Sequence, residues 1–131
     1  MNTSTPEAAN PEIGKSIDIG GYRVNYLDEG QGEPIILLHG SGPGVTGYAN
    51  WRLLIPVLSE NYRVIAPDVV GFGYTDRPPG FQYSLDSWTE FALQFMDALD
   101  IEQASFVGNS FGGALSLALA ARHPRRVRCF V

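Results

Sequence analysis

The sequence predicts an α/β protein: a mostly parallel sheet with helices on both faces. Three observations carry that expectation. Apolar stretches without alternation occur at Pro34–His39, Tyr62–Pro67 and Ser105–Gly108, the pattern of strands buried on both faces of a parallel sheet. Leu85, Trp88, Phe91, Ala92, Phe95 and Leu99 recur at helical spacing between two of those stretches, and strands that alternate with helices build such a sheet. Finally, Gly108-Asn109-Ser110-Phe111-Gly112 stands where a strand pattern becomes a helix pattern.

Each element follows from local chemistry. Residues 1–13 are polar and expected to form a flexible tail, so the folded domain is expected over 14–131. Strands are predicted at 16–19 and 22–27, joined at Gly20-Gly21 as a hairpin. A turn over 28–33 leads into the buried strand 34–39 and then the glycine-rich loop 39–44. Residues 50–59 suit a helix that Pro56 kinks or breaks. The strand 62–67 precedes a Gly/Pro-rich loop over 68–80, with Asp68 as loop support. Ser84 stands at an N-cap position for a helix over 85–99. A third buried strand at 105–108 runs into a helix over 111–122 that is apolar nearly all round, so deep burial is expected. His123-Pro124 ends that helix, and 126–131 starts another strand, within which Cys129 is expected to be buried.

Composition excludes several function classes. The net charge is −5, with both signs scattered, so no basic stripe for nucleic acid is present. The arginines at 122, 125, 126 and 128 read as a solvated helix end. One cysteine allows no internal disulfide. No secretory signal is visible, and the longest apolar stretch, Ala114–Ala121, falls short of the roughly 20 residues of a membrane span. A cytoplasmic protein with no membrane or nucleic-acid partner is expected.

The pentapeptide at 108–112 fits G-x-S-x-G, whose meaning depends on its strand-to-helix setting. A sharp turn there holds the Ser110 hydroxyl clear of the sheet, and large side chains at 108 or 112 would collide. The following helix directs free N–H groups and its positive dipole end at the same point. The simpler alternative is an N-cap serine between turn glycines. The loop His39-Gly40-Ser41-Gly42-Pro43-Gly44 favours the catalytic reading, because its glycines let the backbone approach a ligand. The N–H groups of Ser41 and Phe111 are the candidate oxyanion donors, each worth about 3 kcal/mol of barrier. No Gly-Lys-Ser/Thr follows, so this is not a phosphate loop.

Taken together, HGSGPGVTGYANWR, RVIAPDVVGFGYTDRP and VGNSFGGALSLALAARHP resemble the α/β-hydrolase fold, and within it the meta-cleavage product hydrolases of aromatic degradation. The likeness runs from about Pro11 to Val131. It implies a cofactor-free hydrolase that cleaves a C–C bond in a vinylogous diketone made by ring fission. The dienol substrate first becomes its keto form, and Ser110 or a water activated at the site then attacks the carbonyl. Ser110 is implied as nucleophile, the Ser41 and Phe111 N–H groups as oxyanion hole, and Gly40, Gly42, Asn50 and Asn109 as substrate-binding positions. No metal is implied. The partner is a small dienoate or diketone, and the oligomeric state stays open, a homo-oligomer included. Haloalkane dehalogenases and epoxide hydrolases of this fold use aspartate where Ser110 stands. A carboxylesterase of the same fold remains an alternative.

A serine hydroxyl needs a base, and this fold orders serine, then acid, then histidine. Only 21 residues follow Ser110, with no Asp or Glu and only His123. His123 lies a helix length away, about 18 Å. His39 opens the oxyanion loop and is implied to be structural. The resemblance therefore implies the N-terminal half of a hydrolase core, ending just after the helix that follows the elbow, without lid domain, later strands, acid or catalytic histidine. The 131-residue chain alone is expected to be inactive, and a non-catalytic remnant is the third alternative.

Overall fold

A computed structural model describes residues 10–131. Six strands form one sheet: β1 (Lys15–Ile19), β2 (Tyr22–Glu29), β3 (Pro34–Leu38), β4 (Arg63–Pro67), β5 (Ala104–Gly108) and β6 (Val127–Phe130). Their order is β1-β2-β4-β3-β5-β6. The β1–β2 hairpin and its pairing to β4 are antiparallel, and the pairs β3–β4, β3–β5 and β5–β6 are parallel. This is the mostly parallel α/β sheet that the sequence predicts.

The central strands bury both faces. Ile36 and Leu38 of β3 join a core with Ile65, Phe91, Phe95, Phe106, Leu115 and Leu119 beneath α3 (Leu85–Ala98) and α4 (Phe111–Arg122). Leu37 points the other way, to Trp51, Ile55, Val64 and Ala66 under α1 (Gly47–Trp51) and α2 (Ile55–Leu58). Successive strand residues face opposite sides, so an unbroken apolar run serves two cores at once. Ser84 caps α3 by accepting the Ser87 N–H at 3.1 Å.

Three expectations need correction. The single helix over 50–59 is two short helices. Thr46 caps the first by accepting the Ala49 N–H, and Pro56 sits in the first turn of the second, where its missing N–H costs nothing. Cys129 is exposed, with its Sγ 3.3 Å from Ser105 Oγ. β6 is an edge strand, and α1 and α2 pack over β4 and β3 instead. The helix α4 buries Leu115, Ala118 and Leu119, yet Leu117 is 57 % exposed, because among the described residues no element packs on that side.

The expected tail lies outside the described residues over 1–9. Residues 10–13 are hydrogen-bonded to the body: Thr46 Oγ1 donates to Glu12 Oε2 at 2.7 Å, and Asn25 Nδ2 donates to the Glu12 carbonyl at 2.8 Å. The arginines of the last segment find acidic partners far along the chain. Arg122 pairs with Asp86, Arg126 with Asp97 and Arg128 with Glu33. Among the described residues no helix is long and apolar enough to cross a membrane.

Candidate active site

Ser110 sits at the N-cap of α4 with φ 54° and ψ −108°, a backbone region that residues with a Cβ avoid. Such strain persists only where the surroundings enforce it. Here they do. A Cβ on Gly108 would overlap the Gly112 carbonyl, and one on Gly112 would overlap the Leu38 carbonyl oxygen and stand 2.8 Å from that of His39. The turn is closed by Gly112 N–H to the Asn109 carbonyl at 2.9 Å, and Asn109 N–H bonds to the Leu38 carbonyl at 3.0 Å. Ser110 is exposed, and its side chain makes no capping bond to its own helix.

As the first residue of α4, Phe111 has an N–H without an intrahelical partner. Its ring lies 5.5 Å from that of Phe72 and 4.8 Å from that of Trp88. That aromatic cluster anchors the start of α4 against the 68–80 loop.

The 39–44 loop meets the elbow at Gly40. This glycine is buried, and a Cβ on it would lie 3.2 Å from Asn109 Nδ2. Both of its peptide groups are held by side chains. Its N–H donates to Asn50 Oδ1 at 2.8 Å, and its carbonyl is 2.7 Å from His39 Nδ1. Val69 N–H donates to His39 Nε2 at 2.9 Å. An amide N–H can only donate, so Nε2 is unprotonated and Nδ1 carries the proton that bonds Gly40. Burial lowers the His39 pKa, against smaller raising effects from the Gly40 carbonyl and the Asp68 charge. The ring is thus a neutral structural clamp, as expected. No peptide among the described residues is cis. With the Gly40 carbonyl turned to His39, the trans peptide directs the Ser41 N–H the opposite way, off the ring.

Asp68 is the centre of a buried network that sequence reasoning saw only as loop support. It is 1 % exposed and accepts Gly47 N–H at 2.7 Å, Tyr74 N–H at 2.8 Å and Asn25 Nδ2 at 3.0 Å. It therefore ties the start of α1, which carries Asn50, to β2 and to the loop after β4. Asn25 stands two residues from Arg23 in β2, on an alternating pattern that carried no local sign of its burial.

Of the sequence candidates, Ser110, Phe111, Asn109, Asn50 and Gly40 come together at the ends of β3 and β5. Ser41 and Gly42 lie further out, exposed, and line a cleft of about 590 Å³ with Glu12, Phe72, Tyr74 and Arg77. Ser110 is not among the residues that line that cleft, whereas Phe72, whose ring lies 5.5 Å from that of Phe111, is. His123 caps the opposite end of α4. Among the described residues no group of three or more His, Cys, Asp or Glu side chains is arranged for a metal ion.

A family model described as the alpha/beta hydrolase fold matches residues 33–131. The chain is 57 % identical over 122 residues to a 2-hydroxymuconate semialdehyde hydrolase of Pseudomonas sp. (strain CF600), covering 93 % of this chain and 43 % of that protein. The solved structure of a meta-cleavage product hydrolase from Pseudomonas fluorescens IP01 superposes with a TM-score of 0.90 at 60 % identity, covering 92 % of this chain and 44 % of that one. A haloalkane dehalogenase of Mycobacterium bovis is 38 % identical over 106 residues, 81 % of this chain and 36 % of its own length. The chain thus spans less than half the length of these relatives.

Proposed function

The chain belongs to the α/β-hydrolase fold family, and on that premise we propose that it carries the nucleophile and oxyanion-hole half of a meta-cleavage product hydrolase. The substrate is a ring-fission dienoate of aromatic degradation, of the 2-hydroxymuconic semialdehyde kind, and the bond cut is carbon–carbon. After ketonisation of the dienol, Ser110 or a water activated beside it attacks the carbonyl. The oxygen that gains charge is met by the N–H groups of Ser41 and Phe111. Asn50, Asn109, Gly40 and Gly42 line the substrate position. No cofactor takes part.

The observation that carries this reading is the Ser110 backbone, held at φ 54° between two glycines that tolerate no side chain. An ordinary N-cap serine is extended and bonds its own helix, as Ser84 does; Ser110 does neither. Serine at this position, rather than aspartate, separates the reading from the dehalogenase relative. The 131 residues alone are proposed to be inactive, because no carboxylate follows Ser110 and a triad stripped of its base retains only residual rate enhancement.

The test is a chimera in which residues 10–131 replace the matching segment of the Pseudomonas fluorescens hydrolase. It should turn over a yellow ring-fission dienoate faster than a nitrophenyl ester. Ser110→Ala in that chimera should abolish dienoate turnover; retained turnover overturns the assignment. Preference for the ester would point to a carboxylesterase.

A further inference from the structure

Asn50 and Asn109 stand 59 residues apart in sequence, yet their side chains bond at 3.1 Å. The same Asn50 oxygen accepts the Gly40 N–H at 2.8 Å. The backbone settles which way each amide faces. Gly40 N–H can only donate, so Asn50 must offer it Oδ1. Asn109 must then present its NH₂ group to that oxygen. Asn50 Oδ1 is therefore occupied by two protein donors, which leaves the Asn50 NH₂ group, the Asn109 Oδ1 and the second Asn109 N–H to face a ligand.

We propose that Asn50 is a positioning residue: its Oδ1 is a strut that sets the spacing between the loop carrying Ser41 and the turn carrying Ser110. Gly40 is squeezed between its two clamps. His39 fixes the peptide on its C-terminal side and Asn50 the one on its N-terminal side. The direction of the Ser41 N–H thus depends on both. Asn50 is itself held by α1, whose first N–H is bonded by Asp68. The chain of support runs from a buried carboxylate, through one helical turn, to the loop opposite the serine. The catalytic meaning of the strut rests on the reading of Ser41 and Phe111 as oxyanion donors; the strut itself does not.

Residue-resolved amide exchange on the 131-residue chain tests the strut without any turnover. Asn50→Ala should speed exchange at Gly40 by about tenfold, the loss of one partly buried hydrogen bond, while Leu37 and Phe106 amides keep their protection. Asn50→Asp retains two acceptor oxygens and should restore Gly40 protection to within about twofold of the parent. A Gly40 amide that exchanges equally in parent and Asn50→Ala, over an intact core, overturns the proposal. So does failure of Asn50→Asp to rescue. Should Asn50→Ala lose core protection, Asn109→Ala decides: faster Gly40 exchange over an intact core supports the strut, and an unchanged rate overturns it. None of these outcomes depends on Ser110 acting as a nucleophile, which the chimera tests separately.

Discussion

Gly112, in the first turn of α4, lies so close to the carbonyl of Leu38 at the end of β3 that no Cβ fits between them. The contact joins the strand that launches the 39–44 loop to the helix that starts at the elbow. Gly112→Ala should therefore push α4 away from β3 and cost about 1–3 kcal/mol, the usual penalty for overpacking. Gly113→Ala is the matched control. Its Cβ would meet nothing closer than the Gly108 carbonyl oxygen at 3.6 Å, so helix propensity alone should raise stability by about 0.5–1 kcal/mol. Denaturant midpoints of the two variants should move in opposite directions.

Ser110 offers a second contrast. Its positive φ is a strain that glycine does not feel. Ser110→Gly should raise stability by about 1 kcal/mol, whereas Ser110→Ala, which keeps the Cβ, should leave it nearly unchanged. Both should abolish turnover in the chimera. A destabilised Ser110→Gly would mean that the turn is not strained.

Asp68, itself buried, accepts three donors from three segments, the Asn25 and Gly47 bonds fully buried and the Tyr74 bond partly so. Asn at this position offers one acceptor oxygen and turns an NH₂ group toward an N–H. Asp68→Asn should cost about 2–3 kcal/mol by leaving buried donors unpaired. Because Gly47 N–H is among those donors, exchange at Gly40 should rise as well, through α1 and Asn50.

His39 makes stability depend on pH. Its folded pKa lies below the ordinary 6.5, chiefly through burial. Between the lowered folded value and 6.5 the unfolded chain binds more protons, so stability rises with pH in that window. The His39 contribution is complete above 6.5 and is lost as pH falls through the folded value. Protonation at Nε2 would also expel the Val69 N–H. The midpoint should drop more between pH 7.5 and 5.5 in the parent than in His39→Gln, as measured by urea unfolding at each pH.

Strand and helix placement was legible because burial leaves a local trace. The run Pro34–Leu38 reads as a two-faced strand, and Leu85–Ala98 as a capped amphipathic helix, since each periodicity is written within a few residues. The elbow was legible for the same reason: its steric demand falls on residues two apart from Ser110. The break between α1 and α2 was only partly legible. Pro56 marked it, but the Thr46 cap moved the first helix start three residues earlier than expected.

What the chain could not announce were partners set by the order of strands. By itself the sequence determined an α/β sheet, a serine on a tight turn and a glycine-rich loop after the first buried strand. Tertiary structure alone decided that Cys129 on β6 is exposed among the described residues and that Asp68 binds three segments. It also decided that Asn50 meets Gly40 and Asn109. The physical reason is that β3 inserts between β4 and β5, so groups 10 to 59 residues apart share hydrogen bonds. Periodicity reports which face is buried, but not which distant group waits there.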